Sequence, residues 1–487
     1  MAYGPGVDTG GAPPSEELRP ELADVGRLLR RGVRAVVGAA RADERVTLTR
    51  ILAEFLGDGA ASLEVVQESW PGYEHVNVQA GLDAWLAAPG RSSELVGIVG
   101  YQHHPFGLGE LLTAVVGAPH EPFGPRPGNP SRVNRACGPD GEVRPCVRCG
   151  LYLVTEGEAR LAVFFRGPEP EIGMPVTQLH VAGTDDELAR RAAAEIRDEA
   201  LTRNVFRGQV LSFGGEVFGH HHGETVLTFH RRPAMTADQL VLDPGTLAEV
   251  QRQVVEVARH KGRLLAAGQH LKRGLLLFGP PGVGKTHTVR FLVSQLTDTT
   301  VMQLTANALH LIVEACSVAR ALQPAMVVVE DVDLIAEERG MHPGQHPLLF
   351  QLLNEMDGLA EDADVVFVLT TNRPDLLEPA LAARPGRVDQ AVALQLPDAG
   401  ARRALFDLYR GDLAVDTSRL DDVLARTEGV TASFLKELLR RAALVAATRT
   451  PGDGAIAVSA DDLESALDEL LDTRNAMTRA LLGGAPG

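Results

Sequence analysis

The segment that most constrains this chain runs from Gly274 to Leu296. A short apolar run, Gly274–Phe278, leads straight into GPPGVGKT at Gly279–Thr286. From Thr288 an amphipathic pattern follows, with Val289, Leu292, Val293 and Leu296 on one side. The order is strand, G-x-x-x-x-G-K-[ST] loop, helix. A glycine-rich loop in this place can turn its backbone N–H groups inward around phosphate oxygens. The helix behind it adds the positive end of its dipole. Lys285 can reach β- and γ-phosphates, and the Thr286 hydroxyl can hold Mg²⁺. A chance glycine-rich turn is the alternative, and the flanking strand and helix argue against it. The candidate phosphate site is Gly279, Pro280, Pro281, Gly282, Val283, Gly284, Lys285, Thr286 and His287.

Two further runs read as strands buried on both faces. Met326–Val329 is apolar throughout and ends in Glu330, Asp331, Val332 and Asp333. Open α/β sheets bind ligands at the carboxyl ends of their strands. Carboxylates at that tip can serve Mg²⁺ and orient or deprotonate an attacking water. The other run, Val365–Leu369, ends in Thr370, Thr371 and Asn372. The Asn372 amide could hold the water or the γ-phosphate; a capping asparagine ahead of Pro374 is the alternative.

Together GPPGVGKT, MVVVEDVD (Met326–Asp333) and TTNRPDLLEPALAARPGRVD (Thr370–Asp389) resemble the AAA ATPase family, over Val241 to Leu471. The resemblance implies an α/β fold: a P-loop NTPase parallel sheet with a C-terminal helical lid, binding ATP and Mg²⁺ and hydrolysing the ATP. It makes Asn372 the sensor, Glu330 the Mg²⁺-side carboxylate and Asp331 the catalytic base. Arg384 and Arg387, in ARPGR, become arginine fingers that reach a neighbouring subunit's γ-phosphate. That implies a homo-oligomeric ring, usually a hexamer, that remodels a protein partner. A surface salt bridge is the alternative for these arginines. The lid is expected in four helices, Arg402–Tyr409, Ser418–Thr427, Ala432–Ala447 and Ala460–Leu471. Gly429–Ser433 lies where the family approaches adenosine.

Two departures from the family pattern stand out. The acid pair is Glu-Asp, whereas most members carry Asp-Glu. The segment TANALHLIVEACSVARALQPA, which follows the strand pattern Val301–Leu304, has no aromatic residue. Threading members carry an aromatic pore loop there. Leu311 and Ile312 could substitute for it, or could form a core helix face.

The rest of the chain divides by its patterning. Residues 1–14 read as a disordered tail, and 15–116 as a mostly helical region. In that region Leu22, Val25, Leu28 and Leu29 share one face, and Leu48, Ile51, Leu52 and Phe55 another. Residues 117–149 read as a Pro/Gly-rich loop carrying cysteines. Residues 150–235 read as a small α+β domain, with strands Leu151–Thr155, Leu161–Phe165 and Val176–Val181. A helix, Asp185–Thr202, follows, capped by Thr184 or Asp185. Val205–Phe213 and Thr225–Phe229 close that domain as a hairpin. The large ATPase subdomain then covers 236–397, the lid 398–482 and a tail 483–487.

Charge and composition exclude some classes. The formal net charge of −17 argues against a generic nucleic-acid surface, which needs clustered Lys and Arg. No apolar run approaches the roughly 20 residues that span a bilayer. The N-terminal residues lack a secretory pattern, so a cytoplasmic protein is expected. Four cysteines make no disulfide framework. Cys137, Cys146 and Cys149 give C-x8-C-x2-C, half of a zinc knuckle whose fourth ligand would be His103, His104, His120 or a more distant group. Free thiols in a loop are the alternative. His220–His222 read as exposed turn histidines, with metal binding as the other possibility. The sequence has no H-E-x-x-H, no G-x-S-x-G and no second phosphate loop.

Overall fold

A computed structural model describes residues 47–57, 59–101, 106–114, 124–215, 225–333, 348–375, 388–449 and 454–472. The calls on residues 1–14 and 483–487, on Leu22 to Leu29, on His103, His104, His120 and His220–His222, and on Arg384 and Arg387 lie outside them. The chain forms two compact units. The first holds the described residues up to Pro71, then Gly81–Val133 and Cys146–Glu199. The second holds Gly72–Ala80, Asn134–Pro145 and the described residues from Ala200 onward.

The first sheet consists of β1 (Val66–Pro71), β2 (Arg91–Val99), β3 (Arg126–Gly128), β4 (Ser131–Ala136), β5 (Val143–Glu156), β6 (Ala159–Arg166) and β7 (Val176–Gly183). The order is β1-β7-β6-β5-β2-β3, with β4 paired to β5. The neighbours β1–β7, β7–β6, β6–β5, β5–β2 and β2–β3 are antiparallel. Helix Leu48–Leu56 buries Leu48, Ile51, Leu52 and Phe55 in one core with Leu151, Leu153 and Phe164. Thr47 caps it by accepting from the Arg50 N–H. Asp185 caps the Asp186–Thr202 helix through the N–H groups of Glu187 and Leu188, while the Thr184 hydroxyl accepts from the Arg160 N–H.

Three sequence readings are corrected here. The mostly helical region 15–116 contains β1 and β2. Exposed and half-buried residues alternate in VQESWP, with Glu68 among the half-buried ones, and the first half of β2 is polar, so neither segment gave an apolar strand signal. The loop expected at 117–149 contains β3, β4 and the start of β5. Pro127 is tolerated because β3 ends the sheet. The hairpin expected to close the α+β domain, β8 (Val210–Gly215) and β9 (Thr225–His230), instead extends the sheet of the second unit.

That second sheet adds β10 (Arg273–Phe278), β11 (Thr300–Leu304), β12 (Ala325–Val329), β13 (Val365–Thr371) and β14 (Gln390–Ala393). Its order is β14-β10-β13-β12-β11-β8-β9. Each pair from β14 to β8 is parallel, and β9 closes the edge antiparallel to β8. Leu275, Leu277, Met326, Val328, Val366 and Val368 take alternate positions of their strands. They share a core with Val289, Leu292 and Val293 of helix Lys285–Gln295. Because the strands are parallel, their carboxyl ends open on one side, where helix Lys285–Gln295 begins.

The C-terminal part is helical: Ala399–Arg410, Leu420–Ala425, Ala432–Arg449 and Ala460–Leu471. Phe406, Phe434, Leu435, Leu438, Leu463 and Leu467 form its core. Asp398 caps the first helix. Ser459 and Asp462 make a reciprocal capping box on the last. The short strands β15 (Ala414–Val415) and β16 (Ala457–Val458) pair in parallel. Among the described residues no helix is long and apolar enough to cross a membrane.

Candidate active site

Strand β10 lies between β13 and β14 and ends at Phe278. The chain must turn there under tight constraint. Leu394 donates its N–H to the Phe278 carbonyl at 2.8 Å, and a Cβ on Gly279 would sit 2.3 Å from the Leu394 carbonyl oxygen. Gly282 and Gly284 have φ of 81° and 103°, the left-handed region that glycine enters freely. A Cβ on Gly282 would meet the Thr431 and Ser433 hydroxyls at 2.9 and 3.1 Å. The start of helix Ala432–Arg449 therefore rests directly on the loop. Gly284 accepts the Thr288 N–H and hydroxyl and opens helix Lys285–Gln295.

Lys285 is buried, at 7% exposure. Its ammonium donates to the carbonyls of Gly279 (2.8 Å) and Pro280 (2.9 Å) and to Asn372 Oδ1 (2.7 Å). Burial pulls its pKa down, while Asp331 and Asp333 pull it back up. The Asn372 amide turns its other end, Nδ2, to Asp331 Oδ1 at 3.3 Å. One asparagine thus spans the lysine and the acid. Its orientation follows from chemistry, since the ammonium can only donate.

The two acids part company. The Thr286 hydroxyl donates to Glu330 Oε2 at 3.0 Å. Burial raises the Glu330 pKa, the Thr286 hydrogen bond opposes this, and Asp331 adds to it. Asp331 has φ 53°, a conformation that Asp and Asn accept more readily than most residues. The Thr370 hydroxyl accepts its N–H at 3.1 Å. Hydroxyl and carboxylate oxygens are the hard donors that Mg²⁺ takes, so Thr286 and Glu330 fit that ion, while Asp331 is aimed at the asparagine side.

Sequence reasoning gave no role to Asp333, Thr370 or Thr371. Asp333 is 6% exposed and accepts from the Thr371 hydroxyl and the Asn372 N–H. The signal available was a third acid two positions beyond Asp331, opposite a Thr-Thr-Asn strand end. Of the other predicted residues, Val283 is buried in the core and His287 is exposed on the first helical turn. Burial, then Arg290 and Lys436, lower the His287 pKa.

The half zinc knuckle is taken apart by β5. Cys146 and Cys149 both lie in that strand, three residues apart, and side chains at odd spacing leave a strand on opposite faces. Cys149 packs in the first unit's core, and burial pushes its thiol up to about 12. Thiolate, the form that binds zinc, is disfavoured there, so these residues do not fit a zinc ion. Among the described residues no group of three His, Cys, Asp or Glu side chains gathers as a metal cluster.

Comparison with known proteins agrees with this geometry. Residues 275–396 match the model of the ATPase family associated with various cellular activities (AAA). The chain carries an AAA ATPase domain. Its relatives include an ATP-dependent zinc metalloprotease FtsH of Thermus thermophilus, 32% identical over 46% of this chain and 37% of that protein. FtsH 2 of Sphaerobacter thermophilus is 34% identical over 52% of this chain and 39% of its own length. FtsH of Hahella chejuensis is 32% identical over 45% and 37%. The chain thus spans less than two fifths of the length of each. The AAA match begins inside β10 and ends just beyond β14, so the β8–β9 hairpin lies outside it.

Proposed function

We propose that the chain binds ATP with Mg²⁺, hydrolyses it to ADP and phosphate, and uses the turnover to remodel a protein partner. The run of hydrogen bonds from Lys285 through Asn372 to Asp331, beside the Thr286–Glu330 pair, carries this reading. Thr286 and Glu330 would hold Mg²⁺, which when bound neutralises charge on the phosphate oxygens. Lys285 sits among neutral oxygens, so exchanging carbonyls for phosphate oxygens gains charge-assisted hydrogen bonds. Asp331 takes a proton from the attacking water, and Asn372 holds acid and lysine at a fixed spacing. Arg384 and Arg387 are assigned, by the family resemblance, to a neighbouring subunit's nucleotide in a hexameric ring. Residues 200–397 are read as the large subdomain and the helices from Asp398 as the lid. The partner is assigned to the N-terminal half.

The relatives' names state ATP-dependent proteolysis. Only the coupling of ATP to work on a protein is taken from them, since the 487 residues contain no H-E-x-x-H.

A second reading, a nucleotide-gated assembly factor with slow turnover, is favoured by one observation. Leu309, Leu311 and Ile312 are buried, so this stretch after β11 offers them to a core and not to a substrate chain.

Phosphate release from Mg–ATP by the purified chain separates these outcomes. Wild type is expected to turn over, Asp331→Asn to bind ATP with turnover lowered roughly 100-fold or more, and Lys285→Ala to do neither. Protein held by ATP-loaded Asp331→Asn and absent with Lys285→Ala identifies the partner. A wild type that takes up no nucleotide sinks both readings, and turnover unaffected by any captured protein favours the second.

A further inference from the structure

Asp333 stands one step behind the groups that would meet the nucleotide. It follows β12 and reaches across to the end of β13. Its Oδ1 accepts both the Thr371 hydroxyl, at 2.9 Å, and the Asn372 backbone N–H, at 3.2 Å. Thr371 is fully buried, and its hydroxyl also accepts the Arg373 N–H at 2.9 Å. The last residue of β13 and the residue that follows it are therefore tied to one carboxylate oxygen. Asn372 follows the strand directly, and its side chain is separate from the backbone N–H that Asp333 holds. With Thr371 and the Asn372 backbone fixed to Asp333, the Asn372 side chain meets Lys285 at 2.7 Å and Asp331 at 3.3 Å.

We infer that Asp333 is a positioning residue for hydrolysis: it fixes the strand end from which Asn372 holds Asp331 and Lys285 at their working distance. The inference rests on the ATPase reading above. Asp333 acts through Asn372 and has no contact with the reacting atoms in this role. A displacement of about 1 Å at such a group lowers turnover roughly 100-fold, whereas nucleotide binding, carried by the loop and Lys285, changes little.

The test is a double-mutant cycle in the full chain, reading kcat and KM for Mg–ATP. Asp333→Ala is expected to lower kcat roughly 10- to 100-fold, with KM within about threefold of wild type. Asp333→Asn keeps an acceptor oxygen for Thr371 and Asn372, and should recover kcat to within about threefold. In an Asn372→Ala background the same Asp333→Ala change should cost less than about twofold, because its target is gone. Equal losses in both backgrounds overturn the role, and so does an Asp333→Asn enzyme as slow as Asp333→Ala. Should Asp333→Ala not fold, Asp333→Asn in the two backgrounds decides the matter. A loss larger than about threefold in the wild-type background, repeated in full without Asn372, is again contrary to it. A wild type that releases no phosphate removes the ATPase reading and this role together; additive losses in an active enzyme remove this role alone.

Discussion

Two buried cations, one in each unit, are held in opposite ways. Arg166 in the first unit is 1% exposed and meets Glu169, 4% exposed, through both Nε and Nη2. Glu169 also accepts the Tyr101 hydroxyl and Arg148 Nε, and the Arg166 guanidinium lies over the rings of Tyr101 and Phe106. Charge is matched by charge and the carboxylate is saturated. Lys285 in the second unit donates to two carbonyls and an amide, all neutral. A buried pair of the first kind fixes structure. A buried ammonium solvated by neutral dipoles keeps its charge for an anion, and that contrast supports the proposed phosphate site at Lys285.

The sharpest way to break the comparison is to remove the acid from the first cluster. Glu169→Ala leaves Arg166 buried without its counter-charge and should destabilise the first unit by about 3–5 kcal/mol. Urea or thermal unfolding measures it. A loss under about 1 kcal/mol would mean that Arg166 is solvated much as Lys285 is.

Lys285→Ala should do the reverse. The fold loses a buried ammonium whose hydrogen-bond partners are all neutral, and burial outweighs the pull of Asp331 and Asp333 on it, so thermal stability should hold or rise. ATP affinity should fall about a hundredfold, roughly 3 kcal/mol. Fluorescent-nucleotide titration together with a melting curve reads both. Destabilisation with affinity retained would contradict the assigned role.

This contrast also explains what could be read from the residues alone. The strand, loop and helix around Lys285 are contiguous, so their chemistry is written in one stretch. Glu330, Asp331 and Asn372 were legible as candidates because each stands close after a wholly apolar run, and parallel strands gather their carboxyl ends. Asp333 was not, because its role exists only once β12 and β13 pair with Val329 opposite Leu369. The β8–β9 hairpin was seen as a hairpin and assigned to the wrong sheet. Its alternating residues state that it pairs, and its neighbour is fixed by the register of Val210 against Val301. The zinc reading of Cys146 and Cys149 failed because spacing implies a knuckle only in a turn, and β5 is extended there. The Arg166–Glu169 cluster left no motif, since Tyr101, Phe106 and Arg148 join it from elsewhere in the chain.

A smaller effect sharpens the picture of the phosphate loop. Gly282→Ala and Gly284→Ala both force a Cβ into a left-handed backbone, at about 1 kcal/mol each. Only at Gly282 does that Cβ also strike Thr431 and Ser433; at Gly284 nothing lies within 4 Å. Gly282→Ala should therefore lower the melting temperature more than Gly284→Ala, by the further part that displacing the helix start requires. Equal shifts would show that this helix start does not press on the loop.

The smallest expected effect is a pH dependence in the first unit. His180 is 5% exposed, packed on Phe164, and its Nδ1 accepts the Leu108 N–H at 3.2 Å. That bond requires Nδ1 to be unprotonated. Burial lowers the His180 pKa, opposed in part by Glu110. A histidine whose folded pKa is depressed binds its proton more readily when unfolded. Stability is then fully present above the ordinary value of about 6.5 and declines as pH falls below it, toward the folded pKa. Melting temperatures of the full chain at pH 7.5 and 5.5 should fall further apart in wild type than in His180→Gln, which cannot take up the proton. Parallel shifts in the two proteins would mean that the ring takes up its proton equally in the folded and unfolded chain, contrary to a depressed folded pKa.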